Sequence, residues 1–137
     1  MIVGMNKFPQ EVNVTPPPRI LPVLTKLKAG YILWCQYHPK LPKTHRYSIG
    51  QRVEILFVES VEAIALASFL SPAEKQPHVR LAIRKIETIK ILLMVLWETK
   101  SLGERRYVAL SILLDEVGKM LGGWNGQLAK ASSAKAS

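Results

Sequence analysis

Residue types able to do catalysis are few in this sequence, and their spacing is poor. The three histidines, His38, His45 and His78, stand far apart. None belongs to a His-Glu-x-x-His pair or to the Glu-x-x-His pairs of di-iron bundles, where ligands must leave one helix face together. Cys35 is the sole cysteine. Beside Trp34 on an apolar stripe it reads as a small core residue, since a nucleophilic thiolate needs an electropositive neighbour. Asp115 and Glu116 are adjacent, so on a helix they diverge and cannot readily share a proton or a metal. No glycine-rich loop is built to cradle phosphate, and Gly122-Gly123 reads as a helix stop. The expectation is a protein without catalytic residues, metal or cofactor.

The charged residues point elsewhere. Lysine and arginine number 19 against 10 acids, a net charge of +9 with a pI near 9.9. Such an excess favours a polyanionic partner, because neutralising phosphates releases counterions. It is uneven: residues 1–47 hold seven basic residues and one acid, and residues 48–70 hold one and three. The densest stretch, His38 to Tyr47, contains Lys40, Lys43 and Arg46 among prolines that keep it extended, with His45 and Tyr47 able to stack on bases. A solvated loop in which Tyr47 staples the next helix fits the same residues. Arg80 and Arg84, four apart, share an exposed helix face with Glu87 and Lys90 nearby, so an intrahelical ion pair competes with ligand binding there. Lys85 points to another surface, and Arg52 opens the preceding helix. Arg105 and Arg106 stand at a helix start, where positive charge opposes the dipole and suggests an anionic partner.

Four helix-period segments must position these groups. The first, Arg19 to His38, returns Ile20, Leu24, Leu27, Tyr31, Trp34 and Cys35 to one face, with Pro22 in its first turn. Pro39 and Pro42 stop it. The second starts after the N-cap candidate Ser48 and runs to Leu70, with Ile49, Val53, Leu56, Phe57, Ile64 and Ala67 inward. Ser71-Pro72-Ala73-Glu74 has the form of a capping box. Pro77 then predicts a break before the third helix, Gln76 to Thr99, whose stripe is Val79, Ala82, Ile86, Ile89, Leu93 and Leu96. The fourth runs from Glu104 to Leu121 on Tyr107, Leu110, Leu114, Val117 and Leu121. Short connections make an all-α, up-down-up-down antiparallel four-helix bundle the expected fold, spanning residues 19–124. A proline-containing tail, 1–18, and a disordered Ala/Ser tail, 125–137, flank it. The longest apolar run, Ile91 to Trp97, is far short of a membrane span, and the start has no secretory pattern. With one cysteine, a cytoplasmic location is expected.

More apolar residues are present than one core needs. Leu81, Leu92 and Val95 fall opposite the third stripe on a helical wheel, and Ile55, Val58, Leu66 and Phe69 lie away from the second. Surplus surface of this kind marks self-association, a homo-oligomer. The competing explanation is wide burial within a fat bundle plus scattered surface leucines.

Two blocks carry a resemblance. Tyr37-His38-Pro39-Lys40 and His45-Arg46-Tyr47-Ser48-Ile49-Gly50-Gln51-Arg52 resemble the first interhelical junction of Avd-type proteins, the accessory subunits of diversity-generating retroelements. Arg105-Arg106-Tyr107 and Leu113-Leu114-Asp115-Glu116-Val117-Gly118-Lys119-Met120-Leu121-Gly122-Gly123-Trp124 resemble that family's closing signature. The similarity covers Leu21 to Trp124, and the family is similar in turn to four-helix-bundle proteins of ribosomal-RNA intervening sequences. It implies a pentameric barrel of four-helix bundles that binds a reverse transcriptase and its template RNA, with DNA as a further nucleic-acid partner, and supports mutagenic cDNA synthesis. By the same resemblance the basic surface falls on Arg46, Arg52, Arg80, Lys85, Lys90, Arg105 and Arg106. Met94 departs from the pattern, lying where such proteins are often basic. Two readings outside the family remain: a basic bundle that binds an acidic protein, and one that binds structured RNA outside a retroelement.

Overall fold

The computed structural model describes residues 20–136; the tail expected over residues 1–18, and Arg19, lie outside them. Every element among the described residues is helical. Helix α1 (Ile20–Tyr37) leads through a 3-10 turn (His38–Lys40) and the single-turn α2 (Lys43–Arg46) to α3 (Ile49–Ala67), α4 (Pro72–Glu98) and α5 (Glu104–Ala136). The four long helices, α1, α3, α4 and α5, enclose one hydrophobic core, with α4 packed between α3 and α5, and α1 packed on α5 and α3. No described helix is long and apolar enough to cross a membrane.

Three- and four-residue spacing of apolar side chains produces this core. All six stripe positions expected for α4 are buried, as are Val53, Leu56, Phe57, Ile64 and Ala67 of α3 and Leu110, Leu114, Val117 and Leu121 of α5. Ser60 is also buried in α3, its hydroxyl donating to the Leu56 carbonyl one turn back at 2.8 Å. Cys35 departs from expectation: it is exposed. The buried line of α1 runs Ile20, Val23, Leu27, Gly30, Trp34, which turns Cys35 past the core.

Two expected helix breaks are absent. Ser71 and Glu74 do form the capping pair, with the Ser71 backbone N–H and hydroxyl donating to Glu74 Oε1 at 3.4 and 2.9 Å. From there α4 continues unbroken through Pro77. Pro77 lies near the solvent-exposed start, so the Ala73 carbonyl that it leaves without an amide partner can bond to water. Likewise α5 passes through Gly122-Gly123 and runs to Ala136, so the segment expected to be disordered, 125–137, is helical up to that residue. The anchors lie beyond the glycines: Trp124 is 7% exposed and Leu128 packs against the core, and the alanines that follow, Ala129, Ala131, Ala134 and Ala136, are strong helix formers.

The connections are equally ordered. Lys100, at φ 64°, takes the left-handed conformation that ends α4, with the Ser101 N–H donating to the Leu96 carbonyl at 2.9 Å and the Lys100 N–H to the Trp97 carbonyl at 3.0 Å. Lys75 donates to the Ala67 carbonyl at 2.8 Å and so closes the end of α3. The segment expected to be an extended basic loop is a folded turn. Ser48 precedes α3 as expected but does not cap it; its hydroxyl donates to the Thr44 carbonyl.

Candidate nucleic-acid interface

Cross-helix pairs fix which surface residues lie level with one another. Lys85 Nζ meets Glu59 Oε1 at 2.9 Å between α4 and α3. Lys90 Nζ meets Asp115 at 2.9 Å, the Trp97 and Tyr107 rings stack at 4.9 Å, and Gln76 Nε2 donates to Asn125 Oδ1 at 3.3 Å, all between α4 and α5. Lys26 meets Glu116 at 3.0 Å, and the Arg106 guanidinium lies 5.3 Å from the Tyr37 ring centre, between α1 and α5. In the last two sets numbers rise along one helix as they fall along the other.

The ten basic residues singled out from the sequence divide accordingly. Four serve the fold. Arg46 donates twice to the Leu41 carbonyl, at 3.0 and 2.8 Å, tying the turn shut rather than presenting its charge on an extended loop. Lys85 is held by Glu59, and that hydrogen bond holds the Glu59 carboxyl below the usual carboxylate range against the opposing effect of desolvation. Lys90 bridges Asp115 and Glu87; its hydrogen bond to Asp115 does most to raise its pKa above the ordinary lysine value. Arg106 covers Tyr37. Lys40, Lys43, Arg52, Arg80, Arg84 and Arg105 are exposed and in no ion pair among the described residues.

These six are not one patch. Arg80 and Arg84 project from the outer face of α4, opposite its buried stripe. The Gln76–Asn125 contact and the approach of Glu87 to Gly118 bracket them on α5, level with exposed Lys119, Gly122 and Gly123. Lys40, Lys43 and Arg105 gather at the other end, where His45 Nδ1 and Ser101 Oγ hydrogen bond across the two connections. The 14 residue-to-residue rises from Arg84 to Glu98 separate the groups by about 21 Å of helix. Lys119 was not singled out in the sequence because its position level with Arg84 depends on interhelical register.

The apolar candidates also divide. Ile55, Val58 and Leu66 are exposed on α3, and Phe69, in the turn just past its end, is 85% exposed. Leu81, Leu92 and Val95 are only half-exposed, and Leu81 and Leu92 pack against the core, so they do not form the outward face that the wheel suggested. They lie on the flank of α4 that carries Lys85 towards α3. A second exposed apolar group, Ile91 and Met94 of α4 with Val108 and Ile112 of α5, had not been picked out.

Beneath the first connection, the His38 ring stacks on Trp34 at 5.1 Å, its Nε2–H donates to the Arg46 carbonyl at 2.8 Å, and its Nδ1 lies 3.6 Å from Glu54. The Tyr31 hydroxyl donates to the other Glu54 oxygen. These groups anchor the turn. Among the described residues, no three His, Cys, Asp or Glu side chains are placed to hold a metal ion. Two cavities adjoin α5. One of about 300 Å³ is lined by Pro22, Val23, Lys119, Met120, Gly123, Trp124 and Gln127. Another of about 210 Å³ lies against the start of α4, lined by Pro72, Ala73, Gln76, Leu128, Ala131 and Ser132.

Comparison with protein-family models, curated proteins and solved structures finds no match. The functional reading therefore stands on the residues themselves. Exposed guanidinium groups in no ion pair among the described residues can position a phosphate backbone.

Proposed function

We propose that this chain is a non-catalytic accessory subunit of the Avd type, which binds a reverse transcriptase and its template RNA and supports mutagenic cDNA synthesis in a diversity-generating retroelement. The observation that carries the nucleic-acid part is the Arg80–Arg84 pair. Two guanidinium groups one turn apart face outward, in no ion pair among the described residues, on a chain of net charge +9. The retroelement context comes from the two sequence blocks around the first connection and the end of the bundle.

Assembly belongs to the same proposal. The pairings of α3 with α4, α4 with α5 and α5 with α1 support an up-down-up-down antiparallel order. Ile55, Val58, Leu66 and Phe69 lie on one outer face and Ile91, Met94, Val108 and Ile112 on another. Two separate apolar faces on one chain suit head-to-tail contacts between copies, which close into a ring, better than a single self-complementary dimer contact. The resemblance makes that ring a pentamer.

The test is the double variant Arg80→Glu with Arg84→Glu, assayed for RNA binding across a salt series and for capture of the reverse transcriptase. Its circular dichroism should match the parent's, while RNA affinity falls and the salt slope drops by about 1 for each lost phosphate contact. A folded double variant that binds both partners unchanged would refute the assignment. Light scattering on the parent protein should give a discrete oligomer, and a monomer at working concentration would remove the assembly.

A further inference from the structure

The 300 Å³ cavity beside α5 adds to two core residues, Val23 and Trp124, the exposed Lys119, Gly123 and Gln127, which lie outside the core and the arginine pair. Pro22 and Val23 form its wall on α1, and Met120 and Trp124 add apolar and aromatic surface from α5. Trp124 is 7% exposed, so packing holds that wall in place before any ligand arrives. Gln127 brings an amide with both donors and an acceptor, and Lys119 a cation at the rim. The volume stands at the lower bound of small-molecule pockets, enough for one ring system and too small for several.

Gly123 also lines the cavity, and a Cβ built there would meet nothing within 4 Å. The fold itself therefore gives no steric reason for this poor helix former at that position. Gly122, equally unobstructed, continues the bare stretch over the outer surface of α5, at the level of Arg80 and Arg84 on α4. A strand crossing α5 there would span about 15 Å, the separation of the α4 and α5 axes plus the radius of α5, between the arginines and the cavity.

We infer that this cavity takes one unstacked nucleobase of a single-stranded RNA whose phosphates are held by Lys119 on one side of α5 and by Arg80 and Arg84 on the other. A flat heteroaromatic ring gains contact with Trp124, Met120 and Val23, the Gln127 amide meets its polar edge, and the charge of its own phosphate complements Lys119. Bases stacked within a duplex cannot enter, so the cavity adds preference for single strands to the sequence-independent attraction of the arginines. This inference rests on the RNA-binding proposal above and gives it a selectivity.

Filling the cavity from Gly123 tests it. Binding of a single-stranded RNA and of a duplex of equal length is measured for the parent and for Gly123→Met, with circular dichroism to verify the fold. Single-strand affinity should fall about fivefold or more while duplex affinity stays unchanged, since roughly 40 Å² of apolar contact contributes that factor. A single strand carrying abasic nucleotides should bind the unaltered parent more weakly by a similar factor, a comparison that needs no variant. If the parent binds both RNA forms, abasic substitution has no effect and Gly123→Met changes neither form or both alike, the cavity is not a base site and the arginine reading survives. If the parent binds neither form, both ideas fall together.

Discussion

Replacing Gly122 by alanine sets the structure directly against what the sequence suggests at this point. A glycine that terminates a helix sits one residue past its end in the left-handed conformation, and alanine there costs about 1 kcal/mol. In the structure Gly122 is instead interior to α5, no glycine has a positive φ among the described residues, and a Cβ at this position would meet nothing within 4 Å. Alanine then gains the helix-propensity difference, about 1 kcal/mol, with no clash to offset it. Leu121 and Trp124 on either side are buried, so the gain couples to global unfolding rather than to end fraying. For a chain of this size it should raise the melting temperature by about 3–5 °C, and Gly122→Ala with Gly126→Ala by roughly twice that. Thermal unfolding followed by circular dichroism reads the effect. A fall in melting temperature for Gly122→Ala would mean that the helix stops there, and the upper part of the bundle would have to be redrawn.

Two further outcomes follow from local geometry. Pro77→Ala should restore the amide that α4 lacks and stabilise the protein by about 1–2 kcal/mol, seen as a higher denaturant midpoint at unchanged m-value; a lower midpoint would mean that the helix starts after Pro77. Tyr31, whose hydroxyl hydrogen bonds to Glu54 and is partly desolvated, has its pKa raised well above the ordinary value of 10.0, the Glu54 bond being the largest cause. Because the folded-state value is the higher one, the corresponding stability is present below pH 10 and is lost as the pH rises from there towards the folded pKa. In an alkaline titration of tyrosinate absorbance, Tyr31 should give a step well above pH 10, and Tyr31→Phe should delete that step. Four tyrosines titrating together near the ordinary value would show that the Glu54 contact does not persist in solution.

Much of the architecture could be read from apolar spacing alone. All six expected core positions of α4 are buried, because burial on a regular helix depends on a period that sequence displays. The errors came where a local rule met distant support. Gly122-Gly123 resembles a stop until Trp124 and Leu128 are seen anchored beyond it, and Pro77 resembles a break although it falls near the exposed start of α4, where the freed Ala73 carbonyl can bond to water. Leu81 and Leu92 looked outward on an isolated wheel, yet α3 lies close enough to half-cover them. The candidate site was less legible still. Which cations are neutralised depends on partners far off in sequence, as with Lys85 and Glu59 or Lys90 and Asp115, and the grouping of Lys119 with Arg84 depends on register.

Gly50, at the first turn of α3, lies directly under the first connection. A Cβ there would come within 2.9 Å of Leu41 Cδ1 and 3.0 Å of the His38 ring, which is itself wedged on Trp34 and cannot swing aside. The height at which that connection rides over the bundle is therefore set by a single hydrogen atom. Any larger residue would force the Leu41 side chain and the His38 ring beneath the turn to shift. The seating of that turn is decided from below, by the smallest side chain in the region.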